Sequence, residues 1–382
     1  MARILAASRQ DAMTASGRPH HTVLYIPTYQ FKNKIHIGKL RAMEVTLNIP
    51  ALIAESAEIS SDDIDHLSLP GFQSIFSRAA RQQYESFPYE EWLFQQFTGS
   101  RCKLNQLPVA SLTAAVDGLD SSTGWWMRAD PVYLHPDTHS LILQDPKGLS
   151  LTMAERDELA DNVRSLFADY GASFHTPSTS RWYLHFAEQP PAVTCTPLFE
   201  AIMQPVNDLL PEGAERRRWH TLFNELQMVL NQSMVNENRS YYGQQLVNSL
   251  WFWGLGQKPQ TTSPAYGCCI GGGDYVQALC RHTSNRHRHL ADGITVSRYQ
   301  DNALIVDERL LSAHRVRQPG QWLTALADVE REIMQPLWQG LKRGDISRLR
   351  LLTDDGSLYA ISPSQARAFW KRLRPLSSFL LT

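Results

Sequence analysis

Three short stretches of this chain carry side chains able to do polar chemistry. In WWMRADPVYL, residues 125–134, Arg128 and Asp130 flank the start of an apolar run beside two tryptophans. A guanidinium fork matches the paired oxygens of a carboxylate or phosphate, so these residues are candidates for holding an acidic metabolite. The competing reading is an internal Arg128–Asp130 pair, because pairing is how buried charge is tolerated. In MVNENRSYYGQQLVN, residues 234–248, Asn236, Arg239 and Asn248 offer amides and one cation. They lead directly into SLWFWGLG, where Trp253, Gly254 and Gly256 close a ring-rich run. Asp354 and Asp355 end the third stretch, LRLLTDD. Two carboxylates at a strand end suit a hard cation, but Asp-Gly between two apolar runs is also a strong hairpin signal.

Other chemistry finds little support. No nucleophile elbow, phosphate-binding Walker loop, HExxH helix or dinucleotide fingerprint is present. No apolar strand is recognisable before GGGD (Gly271–Asp274), so this segment reads as a flexible loop. Cys268, Cys269, Cys280, His282, His287 and His289 lie close in sequence. Adjacent cysteines lack the spacing of about two to four residues that zinc pairs use, and no metal or other cofactor is expected there. Arg216, Arg217 and Arg218 open a helix, a poor place for positive charge. They read as a solvated face, with anion binding as the alternative.

The elements that must position these residues are legible in outline. HTVLYIP (21–27) reads as a first core strand closed by proline. LPVASLTAAVDGLD reads as a helix stopped at Gly118. PVYL, SLILQD, ASFHT and RWYLHF read as strands around one helix. That helix opens with a Thr152/Glu155 capping box, buries Leu159, Val163, Leu166 and Phe167, and stops at Gly171. In RRRWHTLFNELQMVLNQ the spacing of Trp219, Leu222, Phe223, Leu226 and Leu230 predicts a strongly amphipathic helix. NALIV predicts a strand, Pro336 a kink within a long helix, and Ser362-Pro363 a helix start.

A chain of 382 residues with 43% hydrophobic content is large enough for two domains or one large domain with an insertion. A net charge of -1 gives no global electrostatic case for nucleic acid or an anionic membrane, and no run is long and apolar enough to span a bilayer. The polar N-terminus lacks the apolar core of a secretory signal, so residues 1–20 read as a disordered lead-in. Five cysteines without a CxxC pair point to reduced thiols and a cytoplasmic protein.

Taken in order, WWMRADPVYL, RWYLHF, LLPEG, RRWHTLFNELQMVL, VNENR, VNSLWFWGLG and LLTDDG resemble a bacterial family of regulatory proteins of the RpfE type. That family is also described as similar to cofactor-independent phosphoglycerate mutase of the alkaline phosphatase superfamily. The mutases carry an Asn-x-x-Arg-x-x-x-Gly run before a tryptophan–glycine strand end. Asn236, Arg239, Gly243, Asn248, Trp251, Trp253, Gly254 and Gly256 fit that run here. The resemblance implies an α/β core sheet flanked by helices, formed by residues 21–122 and 201–382, with an α+β insertion at 123–200. The aromatic density of NSLWFWG suits a buried strand of the large sheet, and its carboxyl end would place Asn248 and the glycines at a ligand crevice.

The mutases also use two divalent metals and a serine that becomes phosphorylated. Here HTVLYIP ends in proline where they have aspartate, and Asp354-Asp355 stands where they have an Asp-His pair. The expectation is therefore a mutase-like protein without a complete catalytic metal site. It would act as a regulatory or ligand-binding module for an anionic small molecule or a protein partner. Arg128, Asp130, Asn236, Arg239, Asn248, Trp253, Gly254 and Gly256 would form its site. The alternative is a divergent phosphomutase or phosphatase dependent on a divalent metal.

Overall fold

The computed structural model describes residues 43–53, 59–260, 266–292, 294 and 302–381. The lead-in expected at 1–20 and the strand expected at 21–27 lie outside the described residues. Two sheets organise the chain. Strands β1 (Met43–Asn48) and β2 (Ala80–Gln83) come first. Strands β3 (Trp125–Val132), β4 (Ser173–His175), β5 (Tyr183–Phe186) and β6 (Ser249–Gly256) follow. The chain then supplies β7 (Cys268–Gly271), β8 (Arg286–Arg288) and β9 (Ala303–Val306). It closes with β10 (Ile346–Leu352) and β11 (Ser357–Ile361).

The central sheet has seven strands in the order β8-β7-β9-β1-β10-β11-β2. From β8 to β10 the pairings are parallel, and β11 and β2 add an antiparallel edge. The central parallel strands are covered on both faces, so they need no polar alternation. Every residue of β9 and of β7 is buried. Successive side chains still point to opposite faces. Ala303 and Ile305 join a core with the helices Pro70–Arg78 and Pro319–Val329. Leu304 and Val306 join the core shared with the second sheet. This is the mixed α/β architecture expected, with a central sheet flanked by helices.

The long helix runs through Pro336 by inserting a π-helical turn at Glu330–Met334 ahead of it. A wider turn of this kind relieves the clash a proline ring makes with the preceding turn. Glu330, buried on that turn, accepts the amides of Gly71 and Phe72 at 2.7 and 3.0 Å, placing a negative charge at the start of the helix Pro70–Arg78.

The second sheet is antiparallel in the order β6-β3-β5-β4. Two expectations are corrected here. NSLWFWG is not a strand of the large sheet; as β6 it pairs along β3, with Trp253 opposite Arg128 and Trp251 opposite Asp130. Residues 123–200 therefore do not close a sheet by themselves, because the longest partner of β3 lies beyond residue 201. Aromatic side chains explain the choice. Phe252 packs edge-on against Trp219 and Phe167, rings from helical segments that pack on this sheet. Around the sheet the local readings hold. The Thr152/Glu155 box caps Met153–Arg164, Gly171 takes the left-handed stop, and Arg216–Asn231 buries the five residues its spacing marked.

Candidate ligand crevice at the carboxyl edge of the central sheet

Parallel strands bring their carboxyl ends to one edge, and the loops that leave them define a crevice there. β7 runs into Gly271, Gly272 and Gly273, and the helix Asp274–His282 starts immediately after. The GGGD segment is thus a strand-to-helix turn rather than a free loop. The missed signal is Cys268-Cys269-Ile270, which is fully buried; cysteine behaves in a core as a small apolar residue. The turn requires glycine. Gly271 and Gly272 have φ of +80° and +74°. A Cβ on Gly271 would sit 2.2 Å from the Val306 carbonyl oxygen, and one on Gly272 2.4 Å from a Val276 methyl.

Next to this turn, β9 ends at Val306 and is followed by Asp307 and Glu308, after which the helix Arg309–Arg315 begins. Between the two turns lies a cavity of about 750 Å³. Its wall includes Asp307, Glu308, Arg309, Ser312, Gln321 and Thr324. Asp145 and Lys147 close it from the short turn Pro146–Gly148, which follows a separate two-stranded hairpin of Leu134–Pro136 and Leu141–Leu143.

Of the four carboxylates that line the cavity, Asp307 and Asp328 are held by arginines, while Asp145 and Glu308 have no cation within ion-pair distance among the described residues. Asp307 is buried and takes the Arg309 guanidinium through Nε at 3.0 Å and Nη2 at 2.6 Å, while Arg309 Nη1 reaches Glu332 at 2.6 Å. Burial opposes the Arg309 charge, but these two carboxylates outweigh it and hold the guanidinium above its ordinary value. Asp328 pairs with Arg331 at 2.6 Å. Glu308 accepts the Tyr89 hydroxyl at 2.7 Å; burial, then the Glu308 charge, pushes that phenol well up. Lys147 is different. Its Nζ donates to the Ser312 hydroxyl at 3.3 Å and has no carboxylate partner among the described residues. A lysine bonded only to a neutral hydroxyl has further N–H donors free to meet an incoming anion.

The residues marked from sequence lie elsewhere, and none of the eight lines this cavity. Arg128 and Asp130 are buried and paired through Nε–Oδ1 at 2.9 Å and Nη2–Oδ2 at 2.8 Å. Burial pushes the Asp130 carboxyl up, and the Arg128 charge pulls against it. Trp253 Nε1 donates to Asp130 at 2.8 Å, so these three are brought together. Asn236 bridges the Leu230 and Val247 carbonyls at 2.7 Å each. Arg239 donates to Glu155 at 2.8 Å, to the Gln245 carbonyl at 2.7 Å and to the Leu149 carbonyl. Asn248 bonds both backbone groups of Leu134. Gly254, at φ +66°, and Gly256 admit the start of the helix Val109–Val116; a Cβ on Gly256 would lie 2.9 Å from the Pro108 Cα.

Asp354 and Asp355 also work within the fold. Asp354 accepts the Leu52 amide at 3.0 Å, and burial raises its carboxyl despite the amide bonds from the 51–53 turn. Asp355 accepts Thr353 and Ser357 hydroxyls at 2.6 and 2.7 Å inside the hairpin turn. Among the described residues no three His, Cys, Asp or Glu side chains converge on one point.

No protein-family model matches the chain, and no curated protein matches it in sequence. Among solved structures it is similar to the cofactor-independent phosphoglycerate mutase from Thermoplasma acidophilum DSM 1728, at 14% identity and a TM-score of 0.46, over 88% of this chain and 94% of that one. It is also similar to the PH0037 protein from Pyrococcus horikoshii, at 12% identity and a TM-score of 0.55, over 89% of this chain and 94% of that one. The Pyrococcus protein and this chain share a fold. No helix among the described residues is long and apolar enough to cross a membrane.

Proposed function

We propose that this chain is a ligand-binding protein on a phosphoglycerate-mutase-like scaffold, taking a small anionic molecule in the crevice between the β7 and β9 turns. The observation that carries the reading is Lys147. From the turn Pro146–Gly148 it lines a cavity of about 750 Å³, and no described carboxylate lies within ion-pair distance of it. That volume suits a metabolite-sized ligand. Ser312, Gln321 and Thr324 supply neutral polar contacts, and Glu308 favours a ligand that also presents hydroxyl or amino hydrogens. This deepens the expectation of an anionic small molecule but moves its site away from Arg239 and Asn248. A binding or regulatory role, rather than turnover, fits a site whose buried carboxylate, Asp307, is already held by Arg309.

The test is a thermal-shift and calorimetry screen of phosphorylated and carboxylated metabolites, phosphoglycerates included, with and without manganese. A ligand should raise the melting temperature of the wild type. Lys147→Ala should weaken its binding roughly ten- to a hundredfold, the worth of a charged hydrogen bond. Two metals per chain by elemental analysis together with mutase turnover would replace this reading with the divergent-enzyme one. A screen without any hit would remove its support.

A further inference from the structure

The chain-wide charge of -1 conceals a local imbalance near the C-terminus. Residues 356–382 contain Arg367, Lys371, Arg372 and Arg374 and no aspartate or glutamate. Within that stretch, just past the short helix Pro363–Ala366, Phe369 is 84% exposed, Trp370 73% and Leu373 40%. Three large apolar side chains side by side in water oppose the usual driving force of folding, so they call for an occupant.

The loop that carries them is pinned. Ala368 and Leu376 are buried on either side of the exposed group. Arg78 Nε donates to the Ala368 carbonyl at 3.2 Å, and the Arg374 amide donates to Ser77 Oγ at 3.1 Å. Arg367 reaches the Lys342 carbonyl at 2.9 Å, which adds exposed Lys342 to the same face. The rings therefore project from a fixed base that carries Arg367, Lys371, Arg372 and Arg374, all exposed, with exposed Asp65 bound to Ser377 beyond the loop's far end.

We infer that this loop is a docking surface for the headgroup region of an anionic lipid bilayer, with Phe369, Trp370 and Leu373 entering the interface and the surrounding lysine and arginines meeting lipid phosphates and carboxylates. Charge complementarity selects an anionic partner, and ring geometry selects among anionic partners. Phe369 and Trp370 turn edge to face at 81°, with centroids 5.3 Å apart. They do not offer the successive parallel faces on which neighbouring bases of a nucleic acid stack, and Leu373 offers no face at all. An interface that takes indole, phenyl and isobutyl groups together, beneath cations, is the boundary between acyl chains and headgroups.

Sedimentation of the full chain with phosphatidylcholine vesicles, with and without phosphatidylserine, tests this. The wild type should pellet with the anionic vesicles only and be released by high salt. Phe369→Ser combined with Trp370→Ser should lower binding at least about tenfold. Leucine at both positions should keep most of it. Lys371→Ala with Arg372→Ala should cost about thirtyfold, from roughly fivefold per cation at an anionic surface. Phe369 and Trp370 are exposed, so the ring variants should keep the wild-type melting curve; Lys371→Ala gives up its bond to the Arg78 carbonyl at 3.2 Å, and Arg372→Ala alone serves as the charge variant that should leave the curve unchanged. Absence of binding to anionic vesicles, or binding indifferent to the ring substitutions, overturns the inference. So does tighter binding to a single-stranded oligonucleotide lost in the same variants. A wild-type dimer that the serine variant converts to monomer in light scattering would assign the face to a second copy instead.

Discussion

Replacing Arg239 by alanine separates a structural from a ligand-binding role at the residue that sequence marks most strongly. Its guanidinium is buried and meets three acceptors: the Glu155 carboxylate, the Gln245 carbonyl and the Leu149 carbonyl. The substitution strands two backbone oxygens and removes the cation from a carboxylate whose side chain is only 22% exposed. Breaking a buried ion pair from one side costs about 3–5 kcal/mol, and the carbonyls place the total toward the upper end. Arg239→Lys keeps the charge but cannot reach all three acceptors, so about half the loss should remain. Glu155 also closes the capping box at Thr152, so Glu155→Ala has its own cost of about 1 kcal/mol from the cap. Urea unfolding of the two single variants and the double variant should give a coupling of roughly 1–3 kcal/mol. A loss below about 1 kcal/mol on Arg239→Ala, accompanied by loss of response to a phosphorylated ligand, would refute this reasoning and return Arg239 to the binding site.

Three further outcomes follow from the same contacts. Gly272→Ala should destabilise by roughly 1–3 kcal/mol, from its left-handed φ and the clash with Val276, and weaken any ligand of the crevice; equal stability in urea would contradict the turn geometry. Acid should unfold the chain through Asp117, Glu155 and Asp355. Although burial opposes their charge, bonds from Arg181, Thr152 and Thr353 hold all three carboxyls below their ordinary values. A depressed folded pKa gives stability that is complete above the unfolded value of about 4 and is lost as pH falls through the folded one. A unfolding midpoint that does not drop between about pH 5 and pH 2 would be inconsistent with these bonds. Trp219→Ala, which empties a fully buried site against Phe252, should cost about 3–5 kcal/mol in the same urea assay.

What the sequence determined by itself was local. The Thr152/Glu155 box, the stop at Gly171, the five-residue stripe of Arg216–Asn231 and the Asp355-Gly356 hairpin are set by contacts within a few residues, which a linear pattern records directly. The α/β class followed as well, because buried parallel strands such as ALIV are apolar throughout. Tertiary structure alone decided which sheet each strand joined and therefore where the crevice lies. SLWFWGLG carries the same aromatic density whether it sits in the large sheet or beside WWMRADPV; the choice depends on rings supplied from Trp219 and Phe167, far along the chain. The polar residues that look reactive in a row, Arg128, Asn236, Arg239 and Asn248, find partners between 2 and 114 positions away, and those partners consume their hydrogen bonds. Lys147, Asp307 and the Gly271–Gly273 turn carry no motif, because they become one site only when the ends of β7 and β9 and the turn Pro146–Gly148 meet at the same edge.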